Sequence, residues 1–288
     1  MTATAQPASP LAHAPTRAAV MAQAGSENFP VAARLVGATR RAHLRAIYGF
    51  ARLVDDAGDE AAGDRTALLD EIEADLDRVY TSARPEHPLL RALSPTVRAL
   101  DLPAAPFRRL IEANRRDQLI DRYPDFAALL DYCQLSAAPV GELVLHIFGA
   151  ATRDRIRLSD QICAGLQVTE HLQDVAEDRE RGRVYLPAED LARFGCADAD
   201  LLAPAPTRPF AELMAFEVAR ARCLLSAGAP LLRRLEPSAA FAVAGFVAGG
   251  RAALDAVEGA GYDVLSARPR PTRRAFAAAL ATTLWRRR

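Results

Sequence analysis

Two short acidic stretches carry the clearest chemistry in the sequence. The first is Asp55-Asp56-Ala57-Gly58-Asp59-Glu60, in which Asp55 and Asp59 stand four residues apart. On a helix that spacing puts both carboxylates on one side, where like charges repel unless a cation lies between them. One or two carboxylates completed by substrate phosphate are how proteins hold Mg²⁺. Taken alone, the stretch also reads as a solvated acidic helix end, although acids at a helix C-terminus oppose the macrodipole. The second stretch holds Glu170, Asp174 and Asp178, spaced four and four, with Gln167 one turn earlier on much the same side and Glu177 close by. A basic run follows, Arg179, Arg181 and Arg183, leading into Tyr185 and Pro187. Two acidic stripes, each with arginines nearby, suit the clamping of a diphosphate through bridging Mg²⁺. Surface i,i+4 salt bridges explain the charges but not the doubled spacing.

Such stripes need helices to carry them, and from residue 40 onward the chain reads helical almost throughout. Leu44, Ile47, Tyr48, Ala51 and Val54 follow the helical period just ahead of the first stretch. Similar patterns run over 64–80, 104–122, 124–150, 158–180, 208–235, 238–260 and 272–287. Pro85, Pro88, Pro95, Pro103, Pro124, Pro187, Pro230 and Pro237 fall where these helices should begin or end. Alternating β-branched strands with hairpin turns are missing, which disfavours an α/β fold. The expected architecture is a single all-α domain over 25–288, a helical bundle around a central cavity. Residues 1–24, rich in Ala, Pro and Thr without a continuous apolar run, read as a flexible tail.

Composition narrows the chemistry further. Basic and acidic residues balance at 36 each, so no global field argues for nucleic acid. Every basic residue is Arg, which excludes Schiff-base and P-loop lysine mechanisms. Cys133, Cys163, Cys196 and Cys223 lie far apart with no CxxC pair, so neither a zinc site nor a disulfide framework is expected and a reducing cytoplasm fits. The longest apolar stretches are interrupted by Gly, Arg or charge before the ~20 residues of a membrane span. The segment 268–288 has arginines at both ends and Phe276, Leu280 and Leu284 at four-residue intervals, with Trp285 beside the last. It reads either as a helix lying on an anionic bilayer at the inner face of the membrane or as one packing its stripe on the core.

Residues 46–60, AIYGFARLVDDAGDE, resemble the first DxxxD motif of the squalene and phytoene synthases. Residues 170–178, EHLQDVAED, with the continuation GRVYLP over 182–187, resemble the second motif and its tail. Two further stretches, SENFPVA over 26–32 and YCQLSAAPVGELVLHIFG over 132–149, are similar to the branch that makes hydroxysqualene for hopanoid synthesis. RAALDAVE over 251–258 and GYDV over 261–264 also fit, so the resemblance runs from about 25 to 265 in motif order. It implies that Asp55 and Asp59, helped by Asp56, bind Mg²⁺ from one helix, and Asp174 and Asp178 from a facing one. Glu170 stands where the common pattern has Asn and still offers a metal oxygen. Tyr48 and Arg52 match positions near the diphosphate and reacting carbons, and Ser26 and Asn28 a polar segment touching the diphosphate. Gln167 and Tyr132 match polar cavity positions, and Arg181, Arg183 and Tyr185 the basic tail.

The implied reaction is Mg²⁺-dependent conversion of presqualene diphosphate and water to hydroxysqualene and diphosphate. Alternatives are head-to-head condensation of two prenyl diphosphates, giving squalene-type or phytoene-type products, and a non-catalytic relative that keeps the fold. Other enzymes of squalene and hopanoid synthesis are possible partners. Gly58 stands where this branch often has Ala, and Gly249-Gly250 where relatives carry a bulky aromatic, which would widen the cavity. His146 and His171 lack a second His at metal spacing and read as structural. Asn114-Arg-Arg-Asp117 reads as helix surface, with Asp117 retained as a cavity residue because it aligns with a family acid.

Overall fold

The computed structural model describes Leu11, residues 14–23 and residues 37–286, and among these the chain is helical without a strand. A short helix α1 (Arg17–Gln23) precedes α2 (Ala38–Asp59), which carries the first acidic stretch at its end. Then follow α3 (Arg65–Val79), α4 (Pro88–Leu100) and α5 (Ala104–Arg116). α6 (Phe126–Ser136) and α7 (Ala138–Ile147) lead to α8 (Arg153–Gln173) and α9 (Val175–Glu180), the carriers of the second stretch. The chain closes with α10 (Ala188–Arg193), α11 (Arg208–Gly228), α12 (Pro237–Gly259) and α13 (Arg273–Trp285).

Local chemistry sets these boundaries. Asp64, Asp125, Thr207 and Thr272 each accept a backbone N–H from the first turn of the helix they cap, satisfying donors that otherwise have no partner. The pattern over 124–150 forms two helices because Ala137 leaves ideal helical geometry and Pro139 restarts the chain at the beginning of α7. The helix expected over 104–122 stops at Arg116, and the residues beyond it turn back so that Val184 N–H bonds Asp121 O and Ala188 N–H bonds Tyr123 O. Pro95 does not end a helix; α4 runs through it, giving up only the bond its missing N–H would have made. Part of the expected tail, α1, is folded onto the body, with Val20 fully buried.

The two acidic helices share α7 as a neighbour and otherwise have separate partners. α2 packs on α1, α3, α4, α5 and α7, whereas α8 packs on α6, α7, α11 and α12. Phe50 of α2 meets Phe107 of α5 edge-on, ring centroids 5.0 Å apart, in the fully buried core of the first half. In the second half, glycines let α8 and α11 approach to backbone contact. A Cβ on Gly228 would lie 2.6 Å from Leu158 O and 2.9 Å from Ile162 N. Gly250 of α12 closes on Leu166 and Leu225, so the space beside it is filled by leucines and is no widening of a cavity.

α12 is long and apolar enough to span a membrane by length and composition, contrary to the expectation from the sequence, yet 67% of its apolar window is buried in the bundle. It is placed as a core helix. α13 uses its apolar stripe in the same way: Phe276 faces Gly249, and Leu280 and Leu284 pack on the core, leaving Trp285 74% exposed.

Gly228→Ala should force α8 and α11 apart and destabilise the protein by about 1–3 kcal/mol, the usual scale of overpacking. Urea denaturation measures it; an unchanged midpoint would show that the contact is not tight.

Candidate active site

Asp55 and Asp59 project from the last turns of α2. Asp55 keeps solvent-accessible surface, yet protein surrounds it closely enough that burial pushes its carboxyl up to about 7, with Asp59 and Glu170 adding repulsion. That repulsion links the motifs: Glu170 belongs to α8, so the two stripes act on each other electrostatically. Asp174 is also pushed up to about 7, first by burial and then by Glu170, Asp178 and Glu177, against the pull of Arg268.

The second row is not one unbroken helix. Asp174 breaks it at φ −108°, although its N–H still bonds Glu170 O and its carbonyl still accepts from Asp178 N–H at 2.7 Å. Arg183, from the tail of that motif, crosses to the first one: its Nη1 donates to Asp59 Oδ1 at 2.7 Å. Tyr132 and Tyr185 both donate their hydroxyls to Asp117, at 2.6 and 3.2 Å, and their rings lie 5.7 Å apart. Burial raises the Asp117 carboxyl and both phenols. Gln167 is half-buried on α8, its amide nitrogen 3.2 Å from His171 Nε2.

Asp56 and Arg181 make their pairings outside this group. Asp56 is buried and turned away, with Arg52 Nε 2.6 Å from its Oδ1. Arg181 is exposed and pairs with Glu177 at 3.0 Å. Tyr48 is buried on α2. Ser26 and Asn28 lie outside the described residues.

The structure also recruits residues that the sequence left in minor roles. Asn114, expected at a helix surface, is buried and donates to Asp55 Oδ1 at 3.2 Å. Gly58 makes this possible: a Cβ there would stand 2.3 Å from Asn114 Oδ1, so its glycine does more than weaken a helix. Arg268, from the segment after α12, grips Asp174 with Nε at 2.5 Å and Nη2 at 2.6 Å. The contact between Gly58 on α2 and Asn114 on α5 has no sequence signal, but the Gly-for-Ala departure marked the place.

These side chains offer only hard carboxylate oxygens, the donor type that Mg²⁺ takes. Asp178 Oδ2 is buried with no hydrogen-bond partner, an oxygen in want of a cation or a donor. Among the described residues no three acidic, His or Cys side chains converge on one point, so each motif would leave coordination places to phosphate oxygens. The residues present fit a divalent cation shared with a diphosphate.

Comparison with known proteins agrees with this geometry. Residues 22–275 match the squalene/phytoene synthase family, and the chain belongs to that family of isoprenoid diphosphate-processing enzymes. It is 36% identical to the hydroxysqualene synthase of Zymomonas mobilis over 61% of this chain, a match spanning 59% of that enzyme's length. It is 33% identical to the phytoene synthase of Mycobacterium tuberculosis over 73% of this chain and 70% of that one. The crystal structure of squalene synthase HpnC from Alicyclobacillus acidocaldarius superposes with a TM-score of 0.79 at 41% identity, covering 87% of this chain and 92% of that one.

Two outcomes follow. Gly58→Ala should not give the gain of about 1 kcal/mol that Ala usually brings to a helix interior, because its methyl displaces Asn114; adding Asn114→Ala should restore the gain. Thermal unfolding of the pair decides it, and stabilisation by Gly58→Ala alone would contradict the packing. Asp55 and Asp174 hold protons more tightly folded than unfolded, where 3.8 applies. Their contribution to metal-free stability is therefore full below pH 3.8 and lost as pH rises through about 7. Asp55→Asn and Asp174→Asn should each gain stability over the parent as pH rises through that window, whereas a constant difference would deny the shift.

Proposed function

We propose that the chain converts presqualene diphosphate and water to hydroxysqualene and diphosphate, with Mg²⁺ as its metal, and that residues 25–288 form one catalytic domain. The observation that carries the site reading is the approach of the two motifs to each other: Arg183, from the tail of the second, donates to Asp59 of the first at 2.7 Å, and Glu170 of the second adds to the burial that raises the Asp55 carboxyl. The choice of reaction is supported by the similarity of residues 26–32 and 132–149 to the hydroxysqualene branch. The relative from Zymomonas mobilis points the same way.

Asp55 and Asp59 would hold Mg²⁺ from α2, and Asp174, Asp178 and Glu170 from α8 and α9. When bound, Mg²⁺ neutralises the leaving diphosphate and so lowers the barrier to ionisation. Arg183 and Arg268, which lie on Asp59 and Asp174, would shift towards the diphosphate as metal takes over those carboxylates. Asp117 holds both tyrosine hydroxyls and so fixes Tyr132 and Tyr185, aromatic rings that would stabilise a carbocation. The buried faces of Leu143, Leu145 and Ile147 on α7, and of Val243 and Val247 on α12, would exclude bulk water until a single water is captured. We place the enzyme in the cytoplasm with peripheral contact to an anionic membrane, supported by exposed Trp285 beside Arg286 and by Arg273 and Arg274.

Incubation with Mg²⁺ and presqualene diphosphate should yield hydroxysqualene, and farnesyl diphosphate alone should yield no thirty-carbon product. Squalene-type or phytoene-type products from simple prenyl diphosphates would replace this reading with the condensation. Asp55→Ala and Asp174→Ala should each lower turnover by a factor of about 10² or more while remaining folded, since they remove metal ligands. Near-parent turnover in both would refute the clamp.

A further inference from the structure

We infer that His171 is a positioning residue of this site, the donor that fixes Asp178 while that carboxylate holds a divalent cation. The inference rests on the metal reading above. His171 is buried, and its ring lies flat on Tyr185, with centroids 3.7 Å apart and planes 14° from parallel. The Gln167 amide nitrogen, a donor, stands 3.2 Å from Nε2; the tautomer that satisfies this pair has Nε2 accepting and the N–H on Nδ1. That Nδ1 lies 3.6 Å from Asp178 Oδ2. The gap is too long for a hydrogen bond, and Oδ2 has no other hydrogen-bond partner although it is buried.

Helical geometry explains why His171, and not its acidic neighbours, meets Asp178. Residues advance by about 100° each, so a row at i, i+4 and i+8 drifts and Asp178 ends about 80° around from Glu170. Position i+7 returns to within about 20°, which puts Asp178 on the His171 side. On a straight helix those two residues would stand about 10 Å apart along the axis; the break at Asp174 shortens that separation. Both side chains line a small cavity of about 10 Å³, together with Arg179, Arg183 and Tyr185, room for one water at most. Arg183 already serves Asp59. A small closing movement therefore puts Nδ1–H on Oδ2 and leaves Oδ1 to the cation, the division of labour by which outer hydrogen bonds orient metal-binding carboxylates.

The probe is Mn²⁺ titrated into the full-length, metal-free protein with inorganic diphosphate present, read by electron paramagnetic resonance. His171→Phe keeps an aromatic ring on Tyr185 but has no N–H, and it should weaken Mn²⁺ binding by about 10-fold or more. His171→Asn carries an amide nitrogen near the Nδ1 position and should stay within about threefold of the parent, whereas His171→Gln, which reaches only the Nε2 position, should resemble His171→Phe. The Asn and Gln variants decide the matter if the Phe variant fails to fold. Parent-like Mn²⁺ binding in folded His171→Phe, with Asp178→Asn impaired, overturns the role of His171 alone. Parent-like binding in Asp178→Asn overturns the metal reading and this inference with it.

Discussion

Negative charge held between helices is the constraint on which the rest of this structure depends. Ionisation of Asp55 and of Asp174 is opposed first by burial and then by the carboxylates beside them. The chain supplies partial relief from several directions: Arg183 to Asp59, Arg268 to Asp174, and the Asn114 amide to Asp55. The relief is incomplete, since Asp55 and Asp174 still rise to about 7. On the proposed function, a divalent cation with a diphosphate would complete what the arginines begin, and the opposition to charge in the metal-free protein would become affinity for the substrate headgroup.

A charged site of this kind needs a frame that does not relax away from it. The close glycine contact of Gly228 against α8 fixes the helix that carries Glu170. The Phe50–Phe107 contact fixes the helix that carries Asp55 to α5, which also supplies Asn114 and leads directly to Asp117. α7 packs on both α2 and α8 and sets the distance between them. In the second half α12 packs on α8, and the α13 stripe packs on α12 in turn. Packing in both halves thus holds together helices whose charges would otherwise push them open.

Much of this was legible in the residues because helical period and carboxylate spacing are local signals. The four-residue spacing announced both acidic stripes, and the apolar period announced the helices that bear them. Arginine pairing was not legible, since Arg268 reaches Asp174 across 94 positions and Arg183 reaches Asp59 across 124. His171 read as structural for want of a second His, and its approach to within 3.6 Å of Asp178 came from the seven-residue step and the break at Asp174. Asp56 shows the converse, a motif acid that the turn of the helix sends into an ion pair with Arg52. Gly58 was visible as a departure, while its reason lay in Asn114 on another helix.

The central claim is that the two motifs make a single site. A double-mutant cycle on Asp55→Asn and Asp174→Asn, reading the affinity for inorganic diphosphate in the presence of Mg²⁺ by calorimetry, tests it most directly. One shared site predicts strong non-additivity, the second substitution costing little once the first has been made. Costs that simply add would place the motifs in independent sites and contradict the account.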